Sequence, residues 1–285
     1  MEFETLATGY GLVEGPRVDD QNRLYYSDIR GGGVFRRNPD GRIETLIADR
    51  KFVGGIALNA GGGLIVSGRT LAHWDESTGK LRDLFSEWDG KPLFGINDLT
   101  TDDQGRVWFG TFGFDIHAGF DFKSKPPTGS LFRIDSSGKA TKLWDGVEIT
   151  NGLGFSPDRK LLYHCDSNVG VMVYDVRSDG SVSDRRLFAK LPEGSPDGMT
   201  VDAEGGVWVA VVMGPGEVVR FRPDGTLDRR VKVPAKSVTS VSFGGPDLMD
   251  FYAVTANNSN DRALKGTVFR ARADIAGLPV PKARF

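Results

Sequence analysis

Apolar residues in this chain fall in short runs separated by glycine-rich polar turns, and no stretch repeats with the period of a helix. Short apolar runs bounded by turn residues read as strands. Six times the same phrase recurs: a polar or small residue, usually then a glycine, then an apolar residue opening a strand. It reads Glu14-Gly15-Pro16, Gly54-Gly55-Ile56, Asn97-Asp98-Leu99, Asn151-Gly152-Leu153, Asp197-Gly198-Met199 and Thr239-Ser240-Val241. After each phrase come a polar turn and a strongly apolar second strand, as in Leu24-Tyr25-Tyr26, Val107-Trp108-Phe109 and Val207-Trp208-Val209. A third strand follows, then a hairpin dipeptide such as Asp40-Gly41 or Asp224-Gly225, then a fourth strand. Four strands in a repeat of roughly 40–50 residues predict an all-β, six-bladed β-propeller with four antiparallel strands per blade.

The two ends of the chain fit ring closure. Phe3-Glu4-Thr5-Leu6 is similar to the fourth strand Ile43-Glu44-Thr45-Leu46, and the sixth repeat supplies a third strand at Thr267-Val268-Phe269-Arg270. An N-terminal strand closing the last blade would cover an exposed sheet edge. Residues 1–285 then read as one propeller domain without a linker.

In such a ring the first residue of every phrase converges on the central channel: Glu14, Gly54, Asn97, Asn151, Asp197 and Thr239. Asn-Gly and Asp-Gly are ordinary turn dipeptides. Their shared register, and a glutamate with no turn-forming role, favour a site instead. Two carboxylates facing each other without a cation would repel by roughly 4 kcal/mol at 4 Å and an effective dielectric near 20. Carboxylate and amide oxygens without sulfur or clustered histidine suit one hard divalent cation, Ca²⁺ first, with Mg²⁺, Mn²⁺, Zn²⁺ or Fe as other candidates. An open position on such a cation suits hydrolysis of an ester or lactone.

The column shares a face with the loops leaving each second strand. The longest runs from Phe112 to about Thr128 and carries Phe112, Phe114, Asp115, His117, Phe120 and Phe122. A long loop in a compact repeat protein is a lid candidate. His73, His117 and His164 lack metal-ligand spacing, Cys165 lies in an apolar strand, and no Gly-x-Ser-x-Gly elbow occurs.

Charge narrows the partners. With 36 Lys+Arg against 38 Asp+Glu and no basic stripe, nucleic acid is not expected as a partner. No apolar run is long enough to span a bilayer, and Met1-Glu2-Phe3-Glu4 does not read as a signal peptide. One cysteine fits a reducing compartment, so a cytoplasmic location is expected, with the oligomeric state open.

Glu14-Gly15-Pro16, Asn97-Asp98, Asn151-Gly152-Leu153 and Pro196-Asp197-Gly198 resemble, in order, the motif series of the SMP-30/gluconolactonase/luciferin-regenerating-enzyme family, which includes regucalcin. The resemblance implies a six-bladed propeller with a divalent cation in its channel, and many members hydrolyse lactones of sugar acids. It implies Glu14, Asn151 and Asp197 as metal ligands, with Asp197 also the catalytic general base. Asn97 would contact metal-bound water or substrate. Asp115, after Gly110-Thr111-Phe112, resembles an acidic substrate-binding residue, and Phe112 and Phe114 join it as substrate-binding candidates. Sugar-lactonase members often carry arginine two residues before the asparagine matching Asn97; here that residue is Gly95. The departure opens the substrate to either a sugar-acid lactone or a less polar one, with Trp74 and Trp88 near the lid as apolar candidates. The alternatives are an aryl-ester or organophosphate hydrolase of the same fold, or a cation-stabilised propeller that binds a partner without catalysis.

Overall fold

Successive residues of a strand point to opposite faces, and in this chain both faces of the second strands are apolar. Blade five shows the consequence. Val207, Val209 and Val211 pack with Tyr163, Cys165 and Val173 of blade four. Trp208 and Ala210, between them in sequence, pack with Val241, Phe251 and Ala253 of blade six. Each sheet is therefore sandwiched between two others, and the core is distributed between neighbouring blades. The computed structural model describes residues 1–118, 125–256 and 265–285. Phe120 and Phe122 of the lid candidate lie outside the described residues.

The six sheets each hold four antiparallel strands, and in the sixth the N-terminal strand Glu4–Tyr10 pairs outside Gly266–Arg272. The fold is a six-bladed propeller closed by its first strand. The innermost strands are Val13–Val18, Ile56–Leu58, Ile96–Thr101, Thr150–Phe155, Ser195–Val201 and Val238–Gly244.

Polar turns below these strands are fastened by carboxylates. Asp102 accepts from Trp108 Nε1 at 2.7 Å and from the backbone N–H of Gln104 and Arg106 at 3.0 Å. Asp202 repeats the pattern, accepting from Trp208 Nε1 and Arg220 Nε, both at 2.7 Å. At the upper end Asp28 and Asp166 are similarly consumed by backbone N–H groups of the loops between blades. These acids hold turns.

The C-terminal tail crosses the lower face from blade five to blade two, bridging Asp202 to Gly277 and Asn59 to Ala283. Leu278 N–H donates to Val201 (2.9 Å) and Ala283 N–H to Leu58 (2.8 Å), so this end is capped. Between tail and strands lies a cavity of about 150 Å³, touched by Arg17, Thr101, Leu153, Met199 and Pro281.

Candidate active site in the channel

Five of the six innermost strands carry a register shift at the opening phrase: Glu14 to Arg17, Ile96 to Leu99, Thr150 to Leu153, Pro196 to Met199 and Val238 to Ser240. A bulge leaves residues unpaired and re-aims them. That is how adjacent residues at one level of the ring come to serve the channel, and it brings in a carboxylate the repeat register passes over, Asp98.

Glu14, Asp98, Asn151 and Asp197 are 5 %, 5 %, 9 % and 8 % exposed. Burial alone pushes the three carboxyls upward, since a charged carboxylate loses its hydration. Glu14 is held well above its usual range by burial first, then by Asp197 and Asp98. Asp197 is likewise raised by burial and by Asp98. Asp98 is pushed up to about 6 by burial, against the pull of Arg17 and the Leu99 backbone N–H. Arg17 donates to the carbonyls of Pro16 (2.8 Å) and Leu99 (3.2 Å), and its Nε is buried without a partner among the described residues. It stands between these acids and the lower cavity.

The amides are fixed by hydrogen bonds. Asn97 Nδ2 donates to the Thr150 carbonyl (2.7 Å) and to Asn151 Oδ1. Asn151 Nδ2 donates to Ser167 Oγ (2.7 Å), which donates to the Pro196 carbonyl beside Asp197 (2.6 Å). The remaining two positions of the column serve the scaffold. A Cβ at Gly54 would stand 2.0 Å from Asn97 Oδ1, so this glycine leaves the room that the amide occupies. Thr239 Oγ1 donates to the carbonyls of Val13 (2.5 Å) and Val254 (3.1 Å), tying blade six to blade one.

Whether these residues fit a cation can be judged from their donors. Glu14 Oε2 is buried without a hydrogen-bond partner among the described residues, which is costly for an acceptor-only oxygen. Three carboxyls against one guanidinium leave an excess of two negative charges when all are ionised, the charge a divalent ion balances. No group of three or more His, Cys, Asp or Glu among the described residues is gathered for a metal by itself. The oxygens of Glu14, Asp197 and the Asn151 amide are of the hard, mixed kind that such an ion takes, so in their chemistry the residues fit it.

Above the column, Asp115 takes two bonds from Arg69 Nη2, at 2.9 and 3.1 Å. Phe112 is half-buried and Phe114 buried, their rings 5.3 Å apart. Phe112 N–H donates to the Gly95 carbonyl at 2.9 Å, and a Cβ at Gly95 would meet Ile116 Cδ1 at 2.7 Å. The space over Gly95 is therefore filled by the lid's own Ile116. Trp74 and Trp88 are elsewhere, Trp74 in the packing of blades one and two and Trp88 against Phe85 and Phe132. His164 is buried on Thr150 Oγ1 at 2.9 Å, and Cys165 lies in the core.

Comparison with known proteins bears on this arrangement. Residues 12–257 match the model of the SMP-30/Gluconolactonase/LRE-like region. A pentonolactonase, XacC, of Haloferax volcanii is 36% identical over 279 residues, covering 95% of this chain and 90% of that protein. A 6-deoxy-6-sulfogluconolactonase of Pseudomonas putida is 33% identical over 272 residues, 90% of this chain and 89% of the other. The crystal structure of a calcium-binding protein, regucalcin, from Agrobacterium tumefaciens superposes with a TM-score of 0.86 at 26% identity, over 99% of this chain and 97% of that one.

Proposed function

Because the chain belongs to the SMP-30/gluconolactonase/LRE-like family, we propose that it is a divalent-cation-dependent lactonase that opens a sugar-acid lactone with water in the upper channel. The observation that carries the cation requirement is the buried, unpartnered Glu14 Oε2 among three carboxyls that oppose one another's ionisation. Glu14, Asn151 and Asp197 would hold the ion, and calcium is the first candidate, as the name of the Agrobacterium relative suggests. When bound, it supplies a positive charge that polarises a carbonyl oxygen and makes nearby water more acidic.

The chain's own groups do the rest. Asp197 takes a proton from water as the water oxygen bonds to the lactone carbonyl carbon, and the proton passes to the ring oxygen as the acyl C–O bond breaks. Asn97, its donors spent on Thr150 and Asn151, keeps the Asn151 oxygen turned to the channel. Arg17 balances part of the acid charge from below. Asp115 and the Phe112 wall would meet the substituents of a lactone ring, a role supported by the Arg69 bond that holds Asp115 and by the Phe112–Phe114 ring pair beside it.

Hydrolysis of a panel from aldonolactones to unsubstituted and aromatic lactones, before and after chelation and with single metals restored, tests the proposal. Turnover abolished by chelator and restored by one cation is expected. A folded protein that hydrolyses nothing with any metal would refute it and favour a binding scaffold; aryl-ester turnover alone would favour the esterase reading.

A further inference from the structure

Arg69 holds a place at the channel mouth that the column does not account for. Gly68 and Ile96 exchange backbone hydrogen bonds, Ile96 N–H to Gly68 at 2.7 Å and Gly68 N–H to Ile96 at 3.3 Å. The residue following one is Arg69 and the residue following the other is Asn97. Blade two thus delivers a guanidinium to the rim beside the strand that carries Asn97.

That guanidinium is oriented and only partly used. Its side chain is 47% exposed, and Asp115 engages Nη2 alone. Nε and Nη1 have no partner among the described residues. Asp115 is itself held, accepting from the His117 backbone N–H at 2.9 Å. The His117 ring sits edge-on to Phe52, centroids 4.4 Å apart, and Phe52 has a positive φ of 59°, a conformation costly for an aromatic residue. The pair is therefore braced from three loops. Beside it the rim is apolar, with Ile116 and Phe112 over Gly95.

We propose that Arg69 is a specificity-determining residue, donating from Nε and Nη1 to ring hydroxyls of a polyhydroxylated lactone while Asp115 accepts from a neighbouring hydroxyl. The inference rests on the lactonase reading for its substrate. A carboxylate already neutralises the guanidinium, so the pair suits a neutral polyol better than an anionic ring. Arg69 is a binding group at the rim, and the chemistry at the carbonyl does not pass through it.

A direct binding measurement separates this inference from the lactonase reading. Calorimetry would compare gluconolactam, a hydroxylated ring that resists hydrolysis, with unsubstituted 2-piperidinone in the calcium-loaded full chain. Wild type should prefer gluconolactam, and Arg69→Ala should weaken it about tenfold, the scale of one charged hydrogen bond, while leaving 2-piperidinone unchanged. Asp115→Asn should lose affinity in the same ligand-dependent way. In hydrolysis of gluconolactone, Arg69→Ala should raise KM with kcat nearly intact. Equal gluconolactam affinity in wild type and Arg69→Ala overturns the inference, as does a wild type that binds both rings alike. A wild type that binds gluconolactam through Arg69 yet hydrolyses no lactone keeps the inference and removes the lactonase reading.

Discussion

Replacing Asp98 by asparagine would expose the electrostatics of the channel. In the cation-free protein this carboxyl is raised from 3.8 to about 6, burial outweighing Arg17. A group whose pKa rises on folding holds its proton more tightly in the native state, so stability falls as pH climbs from the unfolded value to the folded one. The difference of roughly 2 pH units corresponds to about 3 kcal/mol. The cost is absent below about pH 4 and fully present above about pH 6 to 7. The substituted amide has no such proton, so the stability gap should open in the variant's favour by roughly 3 kcal/mol across that window. Removing the Asp98 charge also relieves Glu14 and Asp197, which adds in the same direction. His164 works in the opposite sense: burial, with Arg185 nearby, pushes its ring down to about 3, so it costs stability as pH falls below 6.5. It is common to both proteins and cancels in the difference. Urea unfolding at each pH in chelator reads the gap, and saturating calcium should close it. A gap that stays flat in chelator, or opens in the parent's favour, would refute a destabilising buried acid at position 98.

Other perturbations address neighbouring parts of the argument. Asp197→Asn should lower lactone turnover at least 100-fold while the chelated variant melts no lower than the parent, since a buried charge opposed by Asp98 is gone; a lower melting temperature would mark Asp197 as chiefly structural. Gly54→Ala places a methyl 2.0 Å from Asn97 Oδ1 and should cost about 1–3 kcal/mol together with a clear loss of calcium affinity by calorimetry; unchanged affinity would mean that Asn97 does not organise the cradle. Ending the chain at Ala276 removes five backbone bonds, those of Gly277 to Leu248, Leu278 to Val201, Ala60 to Ala283, Ala283 to Leu58 and Arg284 to Gly105. At roughly 1 kcal/mol each, and with the packing of Leu278, Ala283 and Phe285 lost as well, denaturant unfolding should show a loss of at least about 5 kcal/mol, with calcium affinity kept; a matching collapse in affinity would tie the tail to the site.

The propeller was readable because its stabilising unit is local and repeated. The Val207-Trp208-Val209 run, buried on both faces between blades, recurs in kind at each second strand, and a short apolar run bounded by turn residues needs no distant partner to be recognised. Ring closure was legible for the same reason, since Glu4–Tyr10 carries the pattern of a fourth strand and pairs as one. The tail was not legible. Its backbone groups at Gly277, Leu278, Ala283 and Arg284 bond to distant turns and strand ends, and Leu278, Ala283 and Phe285 pack singly against cores of other blades, so nothing in the tail repeats the four-strand pattern.

Within the site, legibility followed register. Glu14, Asn97, Asn151 and Asp197 share one position of the repeat, so alignment alone brought them together. Asp98 sits one residue later, at a position where glycine stands in four other phrases, and only the bulge between Ile96 and Leu99 explains how it reaches the same channel. A carboxylate where the repeat otherwise favours glycine was the available signal. Arg69 left none, because it enters from a different loop of a different blade and is placed by the Gly68–Ile96 bridge. Gly95 shows the corresponding limit from the other side: the residue type was plain, but that Ile116 fills its space depends on a loop well downstream in sequence. The repeated geometry of a ring sets what its channel can hold, whereas the rim is assembled from loops that vary independently of the repeat. It follows that changes at Arg69 or Ile116 should shift which lactone is accepted without moving the proposed cation cradle, and a change in calcium affinity on altering either would contradict that separation.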